Sequence, residues 1–143
     1  MTARLVKRYA ATYGYDALLA EPAIKAKLEE LLGSESRRLT RSMSDLRFPI
    51  DVISGGLSVV GMRKAEELDE AVLCLGFHPL QVQVGFILGS RMTLYAHQSE
   101  SRFLSECIRQ WVFMRTTDTT GFSMPPKSGE GEFSFVYKVV PKP

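Results

Sequence analysis

The residue types that bind metals or act as nucleophiles are scarce in this chain. It contains two histidines, His78 and His97, and two cysteines, Cys74 and Cys107. Cys74 and His78 are four residues apart at the end of an apolar run, so their side chains can share one face of a strand and its turn. A zinc site requires three or four such ligands, and no second Cys–His pair accompanies them. We therefore predict no metal site there.

Two further segments have part of the pattern of a ligand-binding loop. Residues 56–61 have the glycine spacing of a phosphate loop, but Met62-Arg63 replaces the Lys-Ser/Thr that such a loop requires. The acidic run Glu66–Glu70 lacks the Asp and Gly spacing of a calcium loop. A hairpin turn explains the glycines and a solvated loop explains the charges. We expect no metal and no cofactor.

The sequence has no recognisable catalytic constellation. The Gly-x-Ser-x-Gly pattern of a nucleophile elbow is absent. His97 lies near Ser99, Glu100 and Ser101, which suits a serine triad, but serines that precede a helix more commonly cap it. We predict no catalytic residue, and the pattern favours a binding protein over an enzyme.

A small-molecule pocket is the best candidate for a functional site. Tyr95 and His97 lie on one side of the apolar run Met92–Ala96 and of its exit, because alternate residues of a strand share a face. With Arg91, and with Trp111 from the helix that follows, they can line a cleft between sheet and helices. The candidate ligand-binding residues are therefore Arg91, Tyr95, His97 and Trp111.

A cluster of arginines suggests a second candidate, an anion-binding patch. Arg37, Arg38 and Arg41 fall mostly on the outer side of a predicted helix. They would join Arg4, Lys7 and Arg8 if the first helices pack together. Solvated helix faces explain the same pattern, and nucleic-acid binders carry a far stronger basic bias than the net charge of +2. We therefore do not expect nucleic acid as a partner.

The length and composition of the chain indicate what kind of fold positions these residues. A chain of 143 residues, 45% hydrophobic and 24% charged, has the size and composition of one globular domain. It is long enough to fold without a metal or a disulfide. The two cysteines are accordingly expected to be buried thiols that pack as small hydrophobes. We divide the domain, 1–143, into a helical and mildly basic part at 1–47, a sheet with its covering helix at 48–115, and an extended loop with a terminal strand at 116–143.

Apolar residues spaced three and four apart predict helices in the first part. One short helix is expected near the start of the chain. Another should begin at Pro22, which suits a first helical position, and end at Gly33. A third, capped by Ser34 or Ser36, is expected to end before Pro49.

After residue 48 the apolar pattern changes to a period of two, which predicts strands. Gly55-Gly56 suits a tight hairpin turn. Beyond a solvated loop at Arg63–Glu70, strands are expected at Ala71–Phe77, Val82–Leu88 and Met92–Ala96. Their short connections make the sheet mostly antiparallel. The strand Val82–Leu88 alternates with Gln and Gly residues, so it is predicted to have one wetter face.

The last part completes the prediction of an α+β fold. Ser99 or Ser101 is expected to cap a helix whose apolar stripe, Phe103–Val112, lies across the sheet. Residues 116–132 are rich in Thr, Gly, Ser and Pro and too long for an ordinary connection. Phe133–Val139 alternates as a strand that returns to the sheet or adds to a neighbouring copy. The predicted fold therefore consists of N-terminal helices, a five- to six-stranded sheet and a C-terminal helix packed on that sheet.

The chain carries no sign of a targeting or membrane segment. Its start has no apolar core of a signal peptide and no cleavage site. No stretch approaches the roughly 18 apolar residues of a membrane span. We therefore expect a cytoplasmic protein and no membrane partner.

The order of these elements resembles that of known small proteins. The N-terminal helices, the turn at Gly55-Gly56 and the three strands between 71 and 96 before a helix are similar to small bacterial orphan proteins, some of them carried as mobile integron gene cassettes. The layout is more loosely similar to periplasmic inhibitors of vertebrate-type lysozyme. Their Cys-Lys-Pro-His-Asp-Cys loop has no counterpart here. The resemblance therefore implies a fold, and it assigns no functional residue.

Two classes of function are consistent with these observations. The first is a non-catalytic binding or interaction protein, inhibitor- or immunity-like, that works as a homo-oligomer through residues 116–143 and has a protein partner. The second is a small-molecule-binding protein or enzyme with a pocket between sheet and helices. A ligand that stabilises the folded chain would favour the second.

Overall fold

The architecture was obtained as a computed structural model, which describes residues 2–43, 49–62, 69–77, 80–88, 91–97, 104–116 and 134–140. Within these residues the helices are α1 (Thr2–Tyr9), α2 (Tyr15–Leu19), α3 (Pro22–Leu32), α4 (Ser36–Met43) and α5 (Glu106–Thr116), with a 3-10 turn at Gly33–Glu35. The strands are β1 (Asp51–Ile53), β2 (Gly56–Met62), β3 (Asp69–Gly76), β4 (Gln81–Leu88), β5 (Arg91–His97) and β6 (Ser134–Val140).

The strands form one six-stranded sheet in the order β1-β2-β3-β4-β5-β6. Strands β1 to β5 are antiparallel neighbours. Strand β6 lies parallel to β5, with Met92 opposite Phe135. Parallel neighbours need a crossover connection, and the chain between β5 and β6 contains α5. The predicted α+β class with a mostly antiparallel sheet is confirmed, and the last strand returns to its own sheet.

Helices cover both faces of this sheet. On the first face, Phe86 and Tyr95 pack in one core with the N-terminal helices. Helix α3 lies against β4 and β5, and α4 lies against β2 and β3. On the second face, Val72 and Ile87 pack in a separate core with α5. Because successive side chains of a strand alternate between faces, the central strands are buried on both sides.

Burial on the second face corrects two predictions. Gln83 is only 4% exposed and Gly85 is buried, because α5 covers the side of β4 that was predicted to be wetter. Strand β3 begins at Asp69, and Glu70 is 0% exposed. The predicted solvated loop therefore ends before β3, and its remaining residues lie outside those the structure describes.

The first hairpin turns one residue earlier than predicted. Ser54 and Gly55 both have positive φ angles, 51° and 79°, as the two central residues of a type I′ turn require. Gly56 is instead the first residue of β2 and pairs with Ile53. A Cβ at Gly56 would overlap the carbonyl oxygen of Leu75, so the close approach of β3 requires glycine there.

Two backbone hydrogen bonds join the N-terminal helices to the edge of the sheet. The amide of Ala11 donates to the carbonyl of Ile50 at 2.7 Å, and the amide of Ile50 donates to the carbonyl of Thr12 at 2.8 Å. Ala11 has a φ of 62°, which a residue with a side chain adopts only at some cost. No helix among the described residues is long and apolar enough to cross a membrane.

Candidate functional site

A cavity of about 600 Å³ lies between α5 and the hairpin of β1 and β2. Its volume is in the range of small-molecule sites. The lining comes from the two residues that follow α1, the stretch before β1, the hairpin and α5. The lining residues are Ala10, Ala11, Pro49, Ile50, Asp51, Val52, Ile53, Ser58, Val60, Cys107, Gln110, Trp111 and Met114.

Trp111 is a wall of this cavity, and a glycine makes room for it. Its indole ring lies directly on Gly85 of β4, where a Cβ would overlap Cζ3 and come within 3.0 Å of Cη2. The ring therefore packs closer to the sheet than any larger residue at position 85 would permit. Trp111 is 5% exposed as a result, although it lies on a helix at the surface.

The same tryptophan is held by a buried acid. Its Nε1–H donates to Oε2 of Glu70 at 2.5 Å. Glu70 is fully buried on β3, on the same face as Val72. Burying a carboxyl group is costly unless it is hydrogen-bonded, so Glu70 and Trp111 stabilise each other's position.

The start of α5 is fixed by Gln83. The side-chain Oε1 of Gln83 accepts a hydrogen bond from the amide of Ser105 at 2.9 Å. The hydroxyl of Ser105 in turn accepts from the amide of Ile108 at 3.2 Å, which makes Ser105 the N-cap of α5. The helix was predicted to be capped by Ser99 or Ser101, both of which lie outside the described residues.

A disulfide bond joins Cys74 of β3 to Cys107 of α5, with their Cα atoms 5.9 Å apart. That separation is typical of a disulfide. The prediction of two buried thiols is therefore wrong. It failed because it treated each cysteine by its neighbours in sequence, whereas α5 places Cys107 directly over Cys74. The bond lies at the wall of the cavity, since Cys107 lines it.

The hairpin turn also contacts α5. The Ser54 hydroxyl donates to Oε2 of Glu106, and Nε2 of Gln110 donates to Oε1 of the same carboxylate at 3.2 Å. The Ser54 hydrogen bond, then that of Gln110, and the nearby charge of Arg109 lower the pKa of Glu106 below 4.5. Glu106 is therefore an anion at neutral pH beside Gln110, a lining residue.

The polar part of the lining is small. Asp51 pairs with Ser58 across the hairpin, so both side chains lie on the face that is turned toward α5. Ser58 is 7% exposed and lies deeper, whereas Asp51 is exposed at the edge of the cavity. A cavity with an apolar interior and a few polar groups at one side suits a ligand that has a large apolar part and a polar group at one end. Among the described residues, no group of three or more His, Cys, Asp or Glu side chains is placed to hold a metal.

The structure separates the four predicted ligand-binding residues. Arg91, Tyr95 and His97 alternate along β5 on the first face, where Tyr95 packs edge-on against Phe86. Trp111 lies on the second face, across the sheet from them. His97 is 2% exposed, and neither ring nitrogen has a hydrogen-bond partner among the described residues. Only Trp111 of the four lines the cavity.

The arginine patch is also divided. The guanidinium of Arg38 lies 4.6 Å from the centre of the Phe86 ring, and so faces the sheet. Arg37 is exposed, and Arg41 belongs to α4. Arg4 and Arg8 lie 3.8 Å and 3.9 Å from the carboxylate of Glu21. Arg38 therefore packs against the core, whereas Arg4 and Arg8 form ion pairs with Glu21.

Three further candidates fall wholly or partly outside the described residues. These are His78, the serines and Glu100 near His97, and most of the acidic run 66–70. The cavity itself was not predicted from the sequence. One signal for it was present, because Cys107 and Trp111 are one helical turn apart while Glu70 and Cys74 share a face of β3.

Comparison with protein-family descriptions, curated proteins and solved structures gives no match to this chain.

Proposed function

We propose that this chain is a binding protein for a small, largely apolar molecule, which occupies the cavity between α5 and the first hairpin. The observation that carries the proposal is the cavity of about 600 Å³, with Trp111 as one wall. Its apolar lining would exclude water from the body of a ligand. This is the second of the two functions expected from the sequence, but its site lies on the opposite face of the sheet from the predicted residues of β5.

The rigidity of the walls supports this proposal. Trp111 is fixed by Gly85 and Glu70, and Cys107 is bonded to Cys74. A pocket whose walls are fixed before binding loses less conformational entropy when a ligand enters. Met114 at the outer end is 60% exposed, and its flexible side chain can adapt to ligands of different shape.

The first test is a ligand screen that uses the protein's own fluorophore. Trp111 is the one tryptophan of the chain, so its emission reports on the cavity wall directly. Apolar compounds of up to about ten heavy atoms should change that emission and raise the melting temperature, because a ligand that binds only the folded state stabilises it.

A pair of matched variants localises the binding. Ala10→Phe places a ring in the cavity from the α1 side and is expected to weaken binding at least about tenfold. Ala26→Phe makes the same change at an exposed position of α3 and should leave affinity unchanged. Equal affinities of both variants and of the parent chain would refute the proposed site, as would a screen without a single stabilising compound.

As a second candidate, we propose the interaction role that the sequence predicts: a bacterial, non-catalytic protein, inhibitor- or immunity-like, that forms homo-oligomers. The observation in its favour is that β6 is the last strand in the sheet order and is paired with β5 alone in the described part of the chain. An edge strand of seven residues offers backbone groups to a second copy. Sedimentation at several concentrations tests this role.

A cytoplasmic location, which the sequence predicts, is likewise proposed; the Cys74–Cys107 disulfide is an observation against it and provides its test. Disulfides are rare in the reducing cytoplasm and persist in oxidising compartments. In the cytoplasm Cys74 and Cys107 would be thiols. Because both are buried in the folded chain, the cells are quenched in acid and the protein is alkylated under denaturing conditions, which labels thiols and leaves a disulfide unlabelled. Absence of the label from both residues would contradict this location.

A further inference from the structure

The charge of the cavity lining is one-sided. Asp51 is the only charged residue among those that the structure describes as lining the cavity. It lies at the exposed edge, whereas Ser58, on the neighbouring strand, is buried. A ligand that inserts its apolar part would therefore place its other end beside Asp51.

The Asp51 carboxylate is oriented by the backbone. Its Oδ1 accepts a hydrogen bond from the amide of Val52 at 2.8 Å. An ionised carboxylate can accept about four hydrogen bonds, so this contact leaves capacity for a donor on a ligand. A cationic donor would form the stronger, charge-assisted bond.

A second acid, Glu106, lies beside the cavity lining, close to an arginine. The Glu106 carboxylate accepts a hydrogen bond from Gln110, which is a lining residue, and the positive charge of Arg109 acts on the same carboxylate. Asp51 is therefore the acid that decides which sign of charge the cavity favours, and a ligand carboxylate beside it would be repelled, so fatty-acid-like anions are disfavoured.

We propose that the cavity selects amphiphilic cations, in which an apolar chain or ring carries an ammonium group that pairs with Asp51. This inference rests on the proposed function and adds the chemical class of the ligand. The apolar part fills the space between Val60, Trp111 and Met114, and the ammonium group lies at the hairpin edge.

The experiment compares three eight-carbon compounds that differ only in their head group. Octylamine, 1-octanol and octanoate are titrated into the full chain near neutral pH, and Trp111 emission is followed. Octylamine should bind about tenfold more tightly than octanol, because a charge-assisted hydrogen bond between its ammonium group and Asp51 is added. Octanoate should bind more weakly than octanol. High salt should reduce the preference for the amine.

Two Asp→Asn variants distinguish a local effect of the Asp51 carboxylate from an effect of the net charge of the protein. Asp51→Asn keeps an oxygen for the Val52 amide and should bring octylamine within about twofold of octanol, with octanol affinity unchanged. Asp16→Asn removes one exposed carboxylate of α2, away from the cavity, and should retain the preference.

Each other outcome overturns a defined claim. Equal affinity for octylamine and octanol, or the same loss of preference in both variants, would overturn the selection of cations and leave the proposed function standing. Absence of binding by all three compounds would overturn both.

Discussion

At the scale of single residues, Gly85 determines how closely α5 approaches the sheet. Without a Cβ it lets the six-membered ring of Trp111 lie on the β4 backbone. Alternation with glutamines in the sequence predicts that this glycine lies on a solvent-facing side of the strand. The structure shows instead that α5 covers this side.

We therefore predict that Gly85→Ala destabilises the protein by about 1–3 kcal/mol, as overpacking of a core does. Urea unfolding followed by circular dichroism measures the change. Gly76→Ala is the matched control, since a Cβ at Gly76 would be an ordinary 3.6 Å from Gln81, and it should cost about 0.5 kcal/mol or less. In a Trp111→Phe background the cost of Gly85→Ala should shrink, and an undiminished cost would contradict this contact.

Tyr9 provides a prediction about pH. Its hydroxyl donates to Oε2 of Glu21 at 2.7 Å. Burial, and then the hydrogen bond to Glu21, raise the pKa of Tyr9 above 10.0. Since the folded-state pKa exceeds the unfolded value, the stabilisation is fully present below pH 10 and is lost as pH rises toward the folded-state pKa.

Tyr9→Phe should therefore cost about 1–2 kcal/mol at neutral pH, and less as the pH rises above about 10. Urea unfolding at neutral and alkaline pH measures both values. Burial also raises the pKa of Tyr15, so Tyr15→Phe serves as the comparison for alkaline unfolding that does not involve Glu21. A Tyr9→Phe cost that stays constant across this pH range would disprove the assignment.

At the scale of elements, α5 is attached to the sheet along its length. Gln83 holds its start, Cys74 its first turn and Glu70 its middle, while the hairpin turn contacts Glu106. Three of these contacts come from the face of β3 and β4 that forms the second core. These contacts therefore fix α5, which forms one wall of the cavity, against the sheet.

Removing the disulfide should weaken this attachment. The two cysteines are 33 residues apart in sequence, and closing a loop of that length in the unfolded chain is worth about 3–4 kcal/mol in the chain-entropy model. Dithiothreitol should lower the urea midpoint of the parent chain accordingly. The Cys74→Ala/Cys107→Ala double variant should be less stable and insensitive to dithiothreitol. A parent midpoint that is unchanged by reduction would contradict a structural bond.

The elements were largely predictable from the sequence, whereas the site was not. A continuous apolar run predicts β3, period-two alternation predicts β4, and the turn at Gly89-Ser90 predicts β5, each to within a few residues. Pro22 and Gly33 mark α3, and all of these signals are local. The cavity depends on which face of the sheet α5 covers, and periodicity is silent about that choice. For the same reason the sequence predicts Trp111 and Tyr95 in one pocket, although the sheet separates them.

At the scale of the whole molecule, the two ends of the sheet differ. β1 has three residues, and the chain just before it is bonded to Ala11 and Thr12. β6 has seven residues. If homo-oligomers form through the sheet, β6 is the strand that should pair.

Paired proline variants test this. Successive residues of a strand direct their amides to opposite sides, so of Lys138→Pro and Val139→Pro one removes an outward amide and the other an amide bonded to β5. One variant should be monomeric with stability close to the parent, and the other should be destabilised. A parent chain that sediments as a monomer at every concentration would remove the oligomer from consideration.

The bonds between Ala11, Thr12 and Ile50 bear on how such an assembly would grow. A chain with two open sheet edges can add copies at both ends and continue into a fibre. Here the N-terminal segment occupies the approach to β1, and the sheet has one long edge to offer. Pairing of β6 with β6 about a two-fold axis would use that edge in both copies, so growth would stop at two chains.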